Sequence, residues 1–391
     1  MKSAINLIFL LTFILALPGH AQDSLKQNPK FTVPDLPGYL TLKADFHMHT
    51  VFSDGHVWPS FRVWEANQDG LDVISITEHI DYEGFPEELE YNRERAFEIA
   101  LEAAAKSDLL VIRGVEISPR VAPYHNNAIF LADVDALSYD YMKQTHKTFV
   151  MKDDIAREEL MAPFLQVKAQ GGFVFYNHPS YNWWDKKDPE LFTPLHQDLL
   201  EQGILGGVEV VNGGRYNLLA HRMAEKYNLT MFGNTDVHYT TRKAYERQRP
   251  MTLVFATAKT AEAVEEAVRA RRTLVYSDDY LIGRQQEAEA FFKASLQLEA
   301  QRRPGKNAPK LLVKITNTTD IPYDLKISAD YIIEDLPLGR LSLEPKGTAE
   351  LLLHPVFEIP RLLKLAVEVE NILVSPEKNL KTTLSVKPEL Q

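Results

Sequence analysis

Eight short runs of apolar, largely β-branched residues, separated by helical patterns, constrain this chain more than any other feature. They lie at 39–46, 71–77, 109–115, 127–132, 172–176, 207–211, 229–232 and 251–256. Several lack polar alternation, as expected of strands buried on both faces. The intervening segments 59–68, 87–106, 154–169, 217–227 and 261–271 carry helical periodicity, several closing near Gly or Asn as helix C-termini often do. Such alternation over about 240 residues predicts an α/β domain of the barrel type, typically about 250 residues long. An open doubly wound sheet is the structural alternative.

From about residue 290 the texture changes. Alternating segments such as 311–316, 323–327, 348–353 and 363–369 are separated by Pro, Gly and Asn turns, which predicts a small all-β sandwich-like domain. At the other end, Lys2 precedes the apolar run 7–17 and then Pro18-Gly19-His20-Ala21. This reads as a signal peptide, since the run falls short of the roughly 20 residues that span a bilayer; a retained anchor is the alternative. The expected organisation is a signal peptide at 1–21, an N-terminal segment at 22–38, the barrel at 39–288 and the sandwich-like domain at 289–391. An exported protein of the bacterial periplasm or exterior is expected, with no stable membrane span after cleavage.

The chain has no Cys, which excludes disulfides, thiolate nucleophiles and Cys-ligated metals. It carries 43 basic and 54 acidic residues, a net charge of −11, with no basic block to offset it. No nucleic-acid partner is expected.

Ten of the 12 His lie between positions 47 and 238, and their placement is more telling than their number. His47 and His49 end the first run, His79 the second, Glu116 the third and His178 the fifth; Asp236 and His238 follow the seventh. In an α/β barrel the carboxyl ends of the strands converge on one face, so these five segments would meet at one spot. Each member has an ordinary structural reading: Asp54-Gly55 suits a turn, Glu78-His79 a strand-end cap, and His178-Pro179 a bend. His125 begins a run instead of ending one, so a loop His reads equally well there. Glu116 differs, because a carboxylate ending an apolar run is costly to bury without a partner or a metal. Imidazoles with carboxylates suit Zn, Mn or Fe, whereas Ca and Mg prefer oxygen shells. Nine donors exceed the three or four protein ligands of one open site, so two or three divalent transition ions are expected. Ions about 3.5–4 Å apart can bring the pKa of a shared water toward ~7 and stabilise a phosphoryl transition state. Hydrolysis of an anionic ester is the chemistry this set suits.

The motifs HMHTVFSDG (47–55), GLDVISITEH (70–79), GVEIS (114–118) and GNTDVH (233–238), with YHNN and YNHPS between them in order, resemble those of the PHP family of polymerase and histidinol phosphatase domains. The resemblance spans about residues 40–285. It implies a distorted (β/α)7 barrel holding a trinuclear metal site, with His47, His49, Asp54, His79, Glu116, His125, His178, Asp236 and His238 as ligands and Glu116 bridging. Asp54, Glu116 and Asp236 would then position a metal-bridging hydroxide for attack on phosphorus. The sequence departs from the pattern at Glu78, where relatives often have Asp in an outer-shell position, and His56 competes with Asp54, which fits the common SDG form. The amidohydrolase superfamily also opens on HxH, but the SDG and the terminal DxH fit it poorly.

The strand-rich tail and the segment RQRPMTLVFA at 247–256 are similar to an exported phosphodiesterase branch. The leading expectation is therefore hydrolysis of small organic phosphodiesters. A phosphomonoesterase of the histidinol-phosphatase type is the first alternative, and a noncatalytic exported ligand-binding module the second. Arg215 and Arg249 are the expected substrate contacts, with Arg120 and Arg247 as further cations beyond strand ends. The general acid stays open among Tyr124, His146 and His196. For the sandwich, a packing or dimerisation role is favoured over sugar binding, because its aromatics are few, chiefly Tyr323, Tyr331 and Phe357. The oligomeric state is not legible.

Overall fold

The structure, a computed structural model, describes residues 31–89, 92–179, 192–246, 248–304, 309–355 and 359–389. The expected signal peptide, most of the 22–38 segment, Arg247 and Phe357 lie outside the described residues. Among the described residues no helix is long and apolar enough to cross a membrane.

Seven strands between Leu40 and Asn234 form the barrel. Leu40–Asp45, Val73–Ile76 and Leu110–Ile117 pair in parallel, as do Phe173–Tyr176, Leu205–Asn212 and Thr230–Asn234. Asn126–Ile129 joins the two sets and is antiparallel to both neighbours. This one reversed strand accounts for the unusual position of His125. A reversed strand brings its amino end to the rim where the parallel strands bring their carboxyl ends, so a residue that begins this run sits where the others finish. Met251–Ala256 is also antiparallel, against Leu40–Asp45.

The strand sequences explain the architecture. VISI at Val73–Ile76 and FVFY at Phe173–Tyr176 are buried at every position, as two-faced burial requires. One core gathers Phe46, Phe173, Phe175 and Phe232, the last two stacked at 4.4 Å. A Cβ on Gly207 would approach Phe232 Cε2 to 2.5 Å, so only glycine permits this packing. Helices cover the outside: Ala261–Arg269 buries Val264, Ala267 and Val268, and the Thr260 side chain caps it by accepting from the Ala263 N–H at 3.3 Å. The barrel closes at the strand ends. Phe46 N–H donates to Asn234 Oδ1 (2.9 Å), Asp236 N–H to the His47 carbonyl (2.8 Å) and His49 N–H to the Val237 carbonyl (3.1 Å). First and last strands are thus stitched together through the residues that carry the histidines.

The tail is a two-sheet sandwich. One sheet runs Leu296–Arg303, Lys310–Asn317, Thr348–His354, Ile332–Ile333. The other contains Tyr323–Ser328, Arg340–Leu343, Leu363–Ser375 and Lys378–Val386, and it continues the barrel sheet through the parallel pairing of Leu281 with Ile372 and Ile282 with Leu373. Helix Gln285–Ala294 buries Phe291 and Phe292 in a core shared by both parts, and the expected boundary at 288/289 falls inside it.

Candidate metal centre

The nine expected donors converge at the closed rim. Four groups have ligand atoms within 4.8 Å of one another: His49, Asp54, His79 and His238; His47, His49 and Glu116; His47, His178 and Asp236; and His79, Glu116 and His125. Glu116 stands between two of these sets. Its Oε2 lies 3.3 Å from His49 Nε2, 3.5 Å from His47 Nε2 and 2.9 Å from His79 Nδ1; its Oε1 lies 2.9 Å from His125 Nδ1 and 3.8 Å from His178 Nε2. Asp236 Oδ1 lies 3.2 Å from His47 Nε2 and 3.1 Å from His49 Nε2. Asp54 faces His238 Nε2 at 3.1 Å and His79 Nε2 at 3.4 Å. His56 stays outside the cluster and stacks on Tyr239 with ring centroids 4.4 Å apart.

His125 Nδ1 and Glu116 Oε1 share a hydrogen bond, but most of this proximity is not hydrogen bonding. His47 Nε2, His49 Nε2, His79 Nδ1, Asp54 Oδ1 and Glu116 Oε2 are buried and have no hydrogen-bond partner. Buried polar atoms are ordinarily satisfied, and an orphan costs about 1–3 kcal/mol. Five orphans aimed at one another are the arrangement that cations would resolve, so the donor set fits metal ions by geometry as well as by chemistry.

The protein meets the electrostatic problem by mutual compensation. Burial pushes the Glu116 carboxyl up, but His79, His47 and His125 outweigh it and hold the group well below the usual range. Burial likewise opposes charge on His47, yet Asp236, Glu209 and Glu116 raise it well above the ordinary imidazole value. His49 goes the other way: burial, then His238 and His79, lower it to about 4.

A supporting shell fixes these side chains. Glu209 is fully buried; its Oε1 lies 2.8 Å from His47 Nδ1 and accepts from Asn234 Nδ2 at 2.9 Å, while Oε2 accepts from the His178 N–H and Asn212 Nδ2, each at 2.9 Å. A carboxylate on one imidazole nitrogen aims the other at a metal. Glu78, the departure from the family pattern, accepts from the Thr50 N–H at 3.2 Å and from the Thr50 and Ser53 hydroxyls, so it shapes the loop after His49. Arg62 is buried and donates to the carbonyls of His49 (2.9 Å), Val237 (2.8 Å) and Tyr239 (2.6 Å), clamping the two histidine loops together. Two of the donors also hold a strained backbone, Asp236 at φ 52° and His178 at φ 27°.

Sequence reasoning missed Glu209 and Arg62. Glu209 had a readable signal, because GVEVV at 207–211 repeats the lone carboxylate in an apolar strand seen in GVEIS at 114–118. Arg62 sits in an ordinary amphipathic helix and had none.

The expected substrate contacts divide. Arg249 is corrected: it is 3% exposed and paired with Asp45 and with Asp69 (3.1 Å). Asp45 in turn receives the Thr235 hydroxyl at 2.6 Å and the His47 N–H at 3.2 Å. A guanidinium so committed braces the strand ends and has no free face for substrate. Arg215 does line a cleft of 620 Å³ whose other walls include His178, Asp236 and His238. Arg120 lines a separate cavity of 130 Å³ with Asp54, His79 and His125. Of the open general-acid positions, Tyr124, His146 and His196 line neither cavity. His196 is buried, and burial lowers its ring to about 3, so near neutrality it is a neutral imidazole and not the imidazolium a general acid requires.

The profile of an Ig-like domain family matches residues 296–385, the sandwich. A solved structure from Bacteroides vulgatus, described as a two-domain protein containing a predicted PHP-like metal-dependent phosphoesterase, is 34% identical with a TM-score of 0.80 and covers 92% of this chain and 99% of its own. A curated relative, an uncharacterized protein of Methanocaldococcus jannaschii, is 38% identical over 79 residues; the match spans 20% of this chain and 34% of the relative's length.

Proposed function

This chain belongs to the PHP-like metal-dependent phosphoesterases, and from that premise we propose that it hydrolyses phosphodiesters of small organic alcohols. The observation that carries the reading is the set of five mutually facing, unpartnered buried donor atoms beside a cleft that is lined by the further donors His178, Asp236 and His238 and is large enough for an organic substrate. The ions would be held by His47, His49, Asp54, His79, Glu116, His125, His178, Asp236 and His238, two or three of them being Zn, Mn or Fe. When bound, such ions lower the pKa of water and neutralise charge on a phosphoryl group.

The protein's own residues account for the rest. Glu209 orients His47 toward the centre, Arg62 and Asp45 fix the strand ends, and Glu78 shapes the Thr50–Ser53 turn. Charge favours a diester over a monoester. A dianionic monoester calls for extra cationic donors, yet Arg249 is spent on Asp45 and Asp69, which leaves Arg215 as the cation among the described residues that line the large cleft. The cleft's volume also exceeds what a phosphate alone would fill.

The test compares bis(p-nitrophenyl) phosphate with p-nitrophenyl phosphate, using protein loaded with Mn or Zn and Asp236→Ala as the control. The diester is expected to be favoured by about tenfold in kcat/KM, a barrier difference near 1.4 kcal/mol, with turnover lost in the variant. Preference for the monoester would transfer the reading to a phosphomonoesterase. Metal-loaded protein that hydrolyses neither would sink it.

A further inference from the structure

The large cleft has two unlike walls. One presents His178, Asp236 and His238 of the metal centre; the other presents Tyr216, Leu218 and Leu219. Tyr216 and Leu218 are each 37% exposed, an apolar surface left open beside three donors of the metal centre. Scattered exposed apolar residues need no explanation, but apolar side chains sharing a concave wall with convergent polar groups are the usual composition of a ligand site.

That wall is built rigidly. Strand Leu205–Asn212 supplies Glu209 to the metal centre and then turns through Gly213 (φ 56°) and Gly214 (φ 79°), where positive φ suits glycine. The turn returns Tyr216 to pair with Val211. Asn212 bonds to both Glu209 (2.9 Å) and Asp236 (3.3 Å), tying the hairpin to a donor carboxylate. Asn217 then caps helix Leu218–Lys226 by accepting from the Ala220 N–H at 3.0 Å, which places Leu218 and Leu219 in the helix's first turn.

The Tyr216 hydroxyl is drawn away from the cleft to His221 Nδ1 at 2.9 Å, and the His221 ring stands edge-on to it. His221 is completely buried. Burial, then Arg284, lower it to about 4, so it stays neutral near pH 7 with one nitrogen available as acceptor. With its polar end anchored behind the wall, Tyr216 offers the cleft mainly its ring.

Resting on the diesterase reading above, we infer that Tyr216 and Leu218 form a subsite for one ester substituent of the substrate, and that this substituent is an apolar alcohol residue, aromatic or branched, in place of a sugar or a second phosphate. Tyr216 is the specificity-determining residue and His221 its positioning residue.

Equilibrium binding separates this inference from the reaction. Diphenyl phosphate and dimethyl phosphate carry the same charge and phosphoryl group and differ only in their substituents. Calorimetry on Mn-loaded full-length protein should find diphenyl phosphate bound about tenfold more tightly. Tyr216→Ala should remove most of that preference while leaving dimethyl phosphate within about twofold, and Tyr216→Phe should keep it. If Tyr216→Ala does not fold, Leu218→Ser should narrow the preference in the same direction. Equal affinity for the two diesters, or a preference untouched by both wall variants, overturns the subsite. Selective binding without diester hydrolysis would uphold the subsite while removing the diesterase reading; diester hydrolysis with no size preference would do the reverse.

Discussion

The barrel rim and the sandwich bury polar groups for opposite ends. In the sandwich, strands such as Tyr323–Ser328 alternate buried and exposed positions, and the buried polar side chains are consumed by the structure. Asn371 Nδ2 donates to the Asp279 and Pro322 carbonyls, each at 2.8 Å, and its Oδ1 accepts from the Asp324 N–H at 3.1 Å. Tyr323 donates to Ser295 Oγ at 2.8 Å. At the rim the strands are buried on both faces, and five donor atoms of five different residues face one another unpaired. The same barrel can also satisfy a buried charge fully, as Arg62 shows. The rim's orphans differ from scattered ones such as Arg302 Nε in the sandwich because they face one another, the arrangement expected where something outside the chain is to pair them.

The largest effect that would break this contrast is at the rim. Glu116→Gln keeps the volume but removes the charge shared by two donor groups. It is expected to lower phosphodiester turnover by about a thousandfold or more, since a catalytic ion contributes several kcal/mol. Bound metal should fall as well, measured by elemental analysis, while the circular dichroism spectrum is retained. Full activity in this variant would mean that the orphans are incidental. The matching change in the sandwich, Asn371→Ala, strands two carbonyls and an N–H. It should cost about 1–3 kcal/mol of stability and lower the melting temperature by several degrees, with kcat and metal content unchanged. A sandwich variant that lost metal would show that the two regions are not separable in this way.

Much of this was legible in the sequence, for identifiable reasons. Strand ends mark the barrel rim, so His47, His49, His79 and Glu116 could be placed by position alone, and helix 59–68 was bounded by Pro59 at its first turn and Gly70 after it. His125 was the hard case, because whether a run begins or ends at the rim depends on strand direction, which local sequence does not encode; the reversal at Asn126–Ile129 decides it. Arg249 was misread because a cation beyond a strand end looks the same whether it meets solvent or Asp45. That pairing joins residues 204 apart in the chain, and no local pattern announces it. The short strands Met142–Thr145 and Phe149–Met151 were also missed: they are brief and only partly buried, and carry little periodicity to read.

His196 sharpens the comparison with the smallest effect. Its Nε2 is also buried and unpaired, but it faces aromatic rings, with Tyr176 at 4.2 Å and Phe192 at 5.3 Å between centroids, and no donor cluster among the described residues includes it. A solitary orphan of this kind should matter to stability and not to chemistry. Burial lowers its ring from the ordinary imidazole value of 6.5 to about 3, so between those values the unfolded chain binds a proton that the folded chain refuses. Stability therefore rises with pH across that window and is lost as pH falls from 6.5 toward 3, by up to about 1.4 kcal/mol per pH unit from this one group. Above pH 6.5 both states leave the ring neutral and the contribution is flat. His196→Leu should therefore leave diester hydrolysis at pH 7.5 within about twofold, the small surface-like effect expected of a residue outside the chemistry. Denaturant melts of the variant should show a shallower decline of stability between pH 6.5 and 4.5 than the parent. A large loss of turnover at pH 7.5, in protein with normal metal content, would return His196 to the chemistry and show that an orphaned atom need not face other donors to serve the reaction.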